Sequence, residues 1–203
     1  MRNKLRTALD TYDPNRMRKD IGPFVSQHFS QCRSMGELLK AVDDILASRD
    51  RTIQFKLLLH ALMIVNAPPA VETTARQLFA AGLITRLRDF APYSASLVRI
   101  YFAYLGGLGK EFLRSDKHDL SDLRYLFYAP FVKVFCSTDN LHRSLWPAAS
   151  GAAFFINGIN LKNDLRQRAA LRKENPESVA GMRPVRLPDS VVNQAHERWT
   201  ERR

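Results

Sequence analysis

Cysteine is scarce: Cys32 and Cys136 are the only two in 203 residues. That is too few for a disulfide framework, and both read as small buried hydrophobes in a reducing compartment. His28 shares a helix face with Cys32, but two ligands fall short of a zinc site. Glycine is limited to nine positions, none of them in a G-x-G-x-x-G, P-loop or G-x-S-x-G arrangement, which excludes those nucleotide-binding and hydrolase motifs. Gly106-Gly107-Leu108-Gly109-Lys110 has no strand before it and reads as a helix terminus. The opening residues are basic without an apolar core behind them, so no secretory signal is expected. No long uninterrupted apolar run exists either. The best stretch, Phe90 to Gly109, carries Pro92, Arg99 and three glycines, whereas a bilayer span needs about 20 largely uncharged residues. A buried helix and a cytoplasmic protein are the expectations. Acidic residues are outnumbered, 20 against 31 basic, for a net charge of +11. That balance favours polyanionic partners, nucleic acid or an anionic membrane surface, or else a solvated basic face.

What is present is a globule-forming composition, 45% hydrophobic and 10% aromatic, read mainly as helices. Ser34 caps a helix through Ser48, with Glu37 at the capping-box position and Leu38, Leu39, Val42, Ile45 and Leu46 as its apolar stripe. Arg51–Val65 reads as a more buried helix, with His60 as a core histidine. Asn66–Pro69 is a break, and Val71–Leu83 resumes helical spacing. Pro92 opens the long apolar helix. Together these predict an amino-terminal helical layer over residues 1–112.

The densest stretch of local signals is Asp119–His142. Asp119 and Ser121 sit at an N-cap, Leu120, Leu123, Leu126 and Phe127 recur at helical spacing, and Pro130 closes the helix. Phe131–Cys136 is rich in aromatic and β-branched residues and reads as a strand. Ser137, Thr138 and Asp139 follow it directly, which puts a carboxylate at the carboxyl edge of a sheet, where open α/β folds place ligands. A short helix, Leu141–Trp146, ends at Pro147. Ala152–Ile156 reads as a second buried strand and Leu161–Lys173 as a basic helix. Residues 174–203 read as an extended basic tail, with one last helix docked through Trp199.

Asp116, Asp119 and Asp122 are spaced three apart, and Asp119 and Asp122 share a helix face. If that helix packs on the sheet, Asp122 and Asp139 approach each other across its edge. Such hard oxygen donors suit Mg²⁺ or Mn²⁺, which activate water and stabilise a phosphoryl oxyanion. Ser137 and Thr138 would support a ligated water or a carboxylate, and His142 reads either as an exposed helical histidine or as a substrate-binding group facing the same site. The competing reading is purely structural, with acids at helix starts favouring the dipole and Ser-Thr-Asp capping a helix. Lys162, Arg166, Arg172 and Lys173 form a basic surface suited to phosphates, with Lys162, Arg166 and Lys173 on one face. Tyr125 and Tyr128 read as core, with base stacking as their role if exposed.

The run DLRYLFYAPFVKVFCSTDNLH resembles the carboxyl-terminal half of PIN-domain nucleases. There an acid opens a helix, a strand follows, and a second acid comes just after a Thr or Ser at the strand's end. The matching positions are Asp122, the helix to Tyr128, the strand to Cys136, then Thr138 and Asp139. INGINLKNDL resembles the segment after the last core strand. The family begins with a hydrophobic strand ending in Asp, and roughly the first thirty residues here contain none. The resemblance implies metal-dependent cleavage of phosphodiesters, in RNA more often than DNA, with Asp122 and Asp139 as catalytic metal residues, or an incomplete or inactive relative; the acid spacing adds Asp119 as a third metal candidate. The expected fold is α/β, predominantly helical with a small parallel sheet, the PIN-like segment spanning residues 113–173. The alternatives are a non-catalytic basic helical protein that binds nucleic acid or another partner, and a peripheral membrane protein.

Overall fold

The longest apolar stretch of the chain becomes its central post. A computed structural model describes residues 14–114, 116, 118–149, 154–174 and 190–200, apart from the side chains of residues 14–21 and Trp199. The helices are α1 (Pro14–Phe29), α2 (Met35–Ala47), α3 (Arg51–Ile64), α4 (Pro69–Ala80), α5 (Leu87–Phe90), α6 (Pro92–Gly109) and α7 (Asp119–Leu126). A 3₁₀ turn (Ala129–Phe131) leads to β1 (Val134–Ser137), α8 (Asn140–Ala149), β2 (Phe154–Asn157), α9 (Gly158–Glu174) and α10 (Val191–Thr200). The protein is therefore predominantly helical with a small parallel sheet. No helix among the described residues is long and apolar enough to cross a membrane.

Helix α6 starts with proline at its first turn, where the missing amide costs nothing, and α1, α2, α3, α5, α7 and α8 all pack on it. Burial on nearly every side explains why its sequence shows no polar face. Gly106, Gly107 and Gly109 form the last turn of α6, with Lys110 as its C-cap, so the stretch is the helix terminus its sequence suggests, and neighbours press closely on it there. A Cβ at Gly106 would stand 2.6 Å from Leu38 Cδ1 and 3.0 Å from the Phe29 ring. One apolar core runs from Val25 to Ala149, across residue 112.

The local signals for α2 act as expected. Ser34 Oγ accepts the Glu37 amide at 3.2 Å, while the Glu37 carboxylate accepts the Arg33 amide at 2.7 Å. Asp50 caps α3 through the amides of Thr52 and Ile53. Buried Gln54 donates to the carbonyls of Leu46 and Ser48 and accepts the Leu87 amide, stitching the α2–α3 turn to α5. His60 is half-buried with its ring edge on Phe102 at 5.1 Å, and burial, then Lys56, lowers its pKa.

Several boundaries differ from expectation. The N-cap position of α7 is His118, without a side-chain capping bond, and Asp119 is already helical and buried. Pro130 does not simply stop a helix. It sits in the 3₁₀ turn, which turns Phe131 out to 68% exposure and delays the strand to Val134. Tyr125 and Tyr128 are exposed, not core. Cys32 is buried as expected, but Cys136 is exposed.

Helix α8 runs through Pro147 instead of ending there. Arg99 of α6 explains part of this: its guanidinium donates to the Pro147 and Ala148 carbonyls at 2.8 and 2.7 Å, satisfying acceptors that a helix end leaves open. The same guanidinium grips both oxygens of Asp43 on α2 at 2.6 and 2.8 Å.

Strands β1 and β2 pair in parallel, Val134 with Phe154 through Ser137 with Asn157. They are joined by α8, so their carboxyl ends lie side by side. Gly158 permits that approach: a Cβ there would sit 2.8 Å from Thr138 Cγ2. Ala152, Ala153, the expected extended segment after Glu174 and the Trp199 side chain lie outside the described residues.

Helix α10 is fastened to α9 by buried Asp164 and by Arg168, whose Nη2 donates to Ser190 Oγ at 2.6 Å and to Asn193 Oδ1 at 2.8 Å. Asp164 accepts the Ser190 hydroxyl at 2.7 Å, the Val192 amide at 3.0 Å and Arg168 Nε at 3.2 Å. Burial pushes this carboxyl up, but those bonds and the Arg168 charge outweigh it and hold it below the usual range. A depressed carboxyl contributes stability that is present above its unfolded pKa and lost as pH falls through the folded value. Asp164→Asn should therefore weaken α10 docking by about 1–3 kcal/mol at neutral pH. Hydrogen exchange of the 191–200 amides should show faster exchange in the variant, and the wild type should approach it in acid. Equal protection at pH 7 would contradict this account.

Candidate acidic site

The loop before α7 is built around Asp119. Its Oδ2 accepts the Asp116 amide at 2.9 Å, and the Asp119 amide in turn donates to the Asp116 carbonyl at 3.2 Å. The Tyr104 hydroxyl of α6 lies 3.5 Å from the same oxygen. Asp119 is only 5% exposed. Burial is the main reason its carboxyl is raised. The charges of Asp116, Asp139 and Asp122 add to the rise, and the Asp116 amide partly opposes it. One turn on, Asp122 is half-buried, and its carboxylate makes no hydrogen bond with the described residues.

The second acid arrives from the sheet edge. Asp139 Oδ1 accepts the Leu141 amide at 2.6 Å, capping α8, while its own amide donates to Ser137 Oγ at 3.0 Å. Ser137 Oγ also lies 2.7 Å from His142 Nδ1. On its other side His142 Nε2 is 2.8 Å from the Asp122 backbone carbonyl. A carbonyl only accepts, so Nε2 carries the proton, and in the neutral ring Nδ1 accepts from Ser137. His142 is buried at 6% exposure. It is neither an exposed helical residue nor part of the site's wall, but a clip between the strand carrying Asp139 and the helix carrying Asp122.

As a result Asp116, Asp119, Asp122, Thr138 and Asp139 line one open hollow of about 650 Å³. Ser137 lies behind it, with its hydroxyl engaged by the Asp139 amide and His142. Thr138 is exposed at the rim. The expected approach of Asp122 and Asp139 is thus present at the level of a shared cavity. Among the described residues, however, no three His, Cys, Asp or Glu side chains are arranged to hold a metal ion. The reason is visible: Asp119 turns inward to an amide and a phenol, and Asp139 spends one oxygen on its helix cap.

Arg114 and His118 also line the hollow, and both are exposed. They precede α7 in a stretch without periodicity, so nothing in their spacing marked them. Asp116 shares the three-residue spacing of Asp119 and Asp122, which was the available signal. The basic residues lie elsewhere. Lys162, Arg166, Arg172 and Lys173 are all exposed along α9, and none is ion-paired among the described residues. Comparison with protein-family models, with curated proteins and with solved structures finds no match to this chain.

Proposed function

We propose that this chain is a PIN-like, metal-dependent nuclease that hydrolyses phosphodiester bonds, in RNA rather than DNA, in a reducing cytoplasmic setting. One observation carries the reading: carboxylates from two separate elements, the α7 start and the end of β1, line a single hollow fastened by the His142 clip. All-oxygen donors suit Mg²⁺ or Mn²⁺. A cation there would also relieve the repulsion that, after burial, raises Asp119. Asp122 and Asp139 would hold the ion with Asp119 behind them, and the ion would supply activated water and stabilisation of the phosphoryl oxyanion. Thr138 orients a water at the rim, and Arg114 binds a non-bridging phosphate oxygen. His142 and Ser137 position the two acids without touching substrate.

A second reading is favoured by α9, whose exposed Lys162, Arg166, Arg172 and Lys173, not ion-paired among the described residues, suit metal-independent phosphate binding. Labelled single-stranded RNA separates the two. The nuclease reading requires shortened products with Mg²⁺ or Mn²⁺ and none with EDTA. Binding without cleavage, unchanged in Asp139→Asn, would support the basic binding protein instead.

A further inference from the structure

The helix that bears the acids continues into an exposed aromatic ledge. Asp119, Asp122, Tyr125, Tyr128 and Phe131 follow one another at intervals of three. Residues three apart are neighbours on an α-helix and line up in a 3₁₀ turn, and the chain passes from one to the other here. The acidic end of this row lines the hollow. At the other end Tyr125, Tyr128 and Phe131 are 59%, 62% and 68% exposed. Tyr93, at the start of α6, completes the ledge with its ring 4.8 Å from that of Phe131. Burial, and after it the neighbouring Tyr128, raises the Tyr93 hydroxyl pKa.

We infer that Tyr93, Tyr125, Tyr128 and Phe131 form a stacking platform for unpaired bases of a single-stranded polynucleotide that runs into the acidic hollow. This deepens the nuclease reading and rests on it for the direction of the strand. The four rings offer flat faces, which is what base stacking uses. The carboxylates of the hollow oppose a polyanion when no cation is bound, so attraction for phosphates has to come from cations beside the rings and from the chain's net charge. Arg124, adjacent to Tyr125 and one turn from Tyr128, is exposed and not ion-paired among the described residues, on a chain of net charge +11. A duplex keeps its bases stacked on each other and offers the ledge no face.

The test is binding in EDTA, where cleavage plays no part. A fluorescein-labelled oligouridylate and an RNA duplex of equal length serve as probes. Tyr128→Ala and Phe131→Ala should each weaken single-strand binding by about tenfold, with duplex binding unchanged. Tyr128→Phe, which keeps the ring, should bind as the wild type does. All three positions are exposed, and circular dichroism verifies that each variant is folded. Single-strand affinity unchanged in both alanine variants would overturn the inference. So would equal losses for single strand and duplex, or an effect confined to self-association of the protein. The two readings fail separately: metal-dependent cleavage with normal Tyr128→Ala binding removes the ledge alone, and ring-dependent binding without cleavage removes the nuclease alone.

Discussion

Asp139→Asn should reduce metal-dependent cleavage of single-stranded RNA on the order of a hundredfold or more while leaving the fold intact. A bound divalent ion supplies several kcal/mol of transition-state stabilisation, and each 1.36 kcal/mol is about tenfold in rate. Asparagine keeps the side-chain oxygen that accepts the Leu141 amide and is as good an N-cap as aspartate, so α8 should start unchanged. What it removes is half the anionic ligand set at the sheet edge. Asp122→Asn should match it in rate, since the Asp122 carboxylate makes no hydrogen bond among the described residues and its loss disturbs no packing. Cleavage time courses in Mg²⁺ measure both. Wild-type rates in either folded variant would remove that residue from the site.

Asp119→Asn should lower activity to a similar degree and yet raise stability. In the wild type this buried carboxyl is pushed up first by burial and then by Asp116, Asp139 and Asp122. A raised folded-state pKa contributes stability that is present in acid and lost as pH rises through that value. At neutral pH the ionised side chain therefore weakens the fold, and a neutral isostere that still accepts the Asp116 amide removes that cost. Each kcal/mol relieved raises the Tm by about 2–4 °C in a chain of this size. The gap should close as pH falls toward the ordinary carboxylate range, where the wild-type group is itself protonated. Thermal melts across pH measure this, and a variant that melts below the wild type at pH 7 would contradict it. The opposed signs mark the site as one where charge is concentrated at the expense of the fold.

How far such features can be read in advance depends on how local their causes are. The cap at Ser34, the apolar post of α6 and the β1–α8–β2 order follow from neighbours in sequence, and all were legible there. The strand start was displaced because Pro130 fits a 3₁₀ turn as readily as it ends a helix. Helix α8 outlasts Pro147 because Arg99, far away in the chain, takes up carbonyls at its end. Tyr125 and Tyr128 have the spacing of core residues, and only the packing of α7 on its neighbours decides which rings face outward. That Asp122 and Asp139 face a common hollow was legible as a pattern. Its fastening was not: His142 bonds to a backbone carbonyl on another helix, which no spacing rule encodes.

Manganese binding followed by electron paramagnetic resonance tests the account most directly, because the hydrated ion's signal disappears when the protein takes it up. Titrated with Mn²⁺, the wild type and Tyr128→Ala should each remove the ion from solution at submillimolar concentration. Asp122→Asn and Asp139→Asn should leave it free. Equal uptake by all four proteins, or none by the wild type at millimolar Mn²⁺, would show that the acidic hollow is not a metal site.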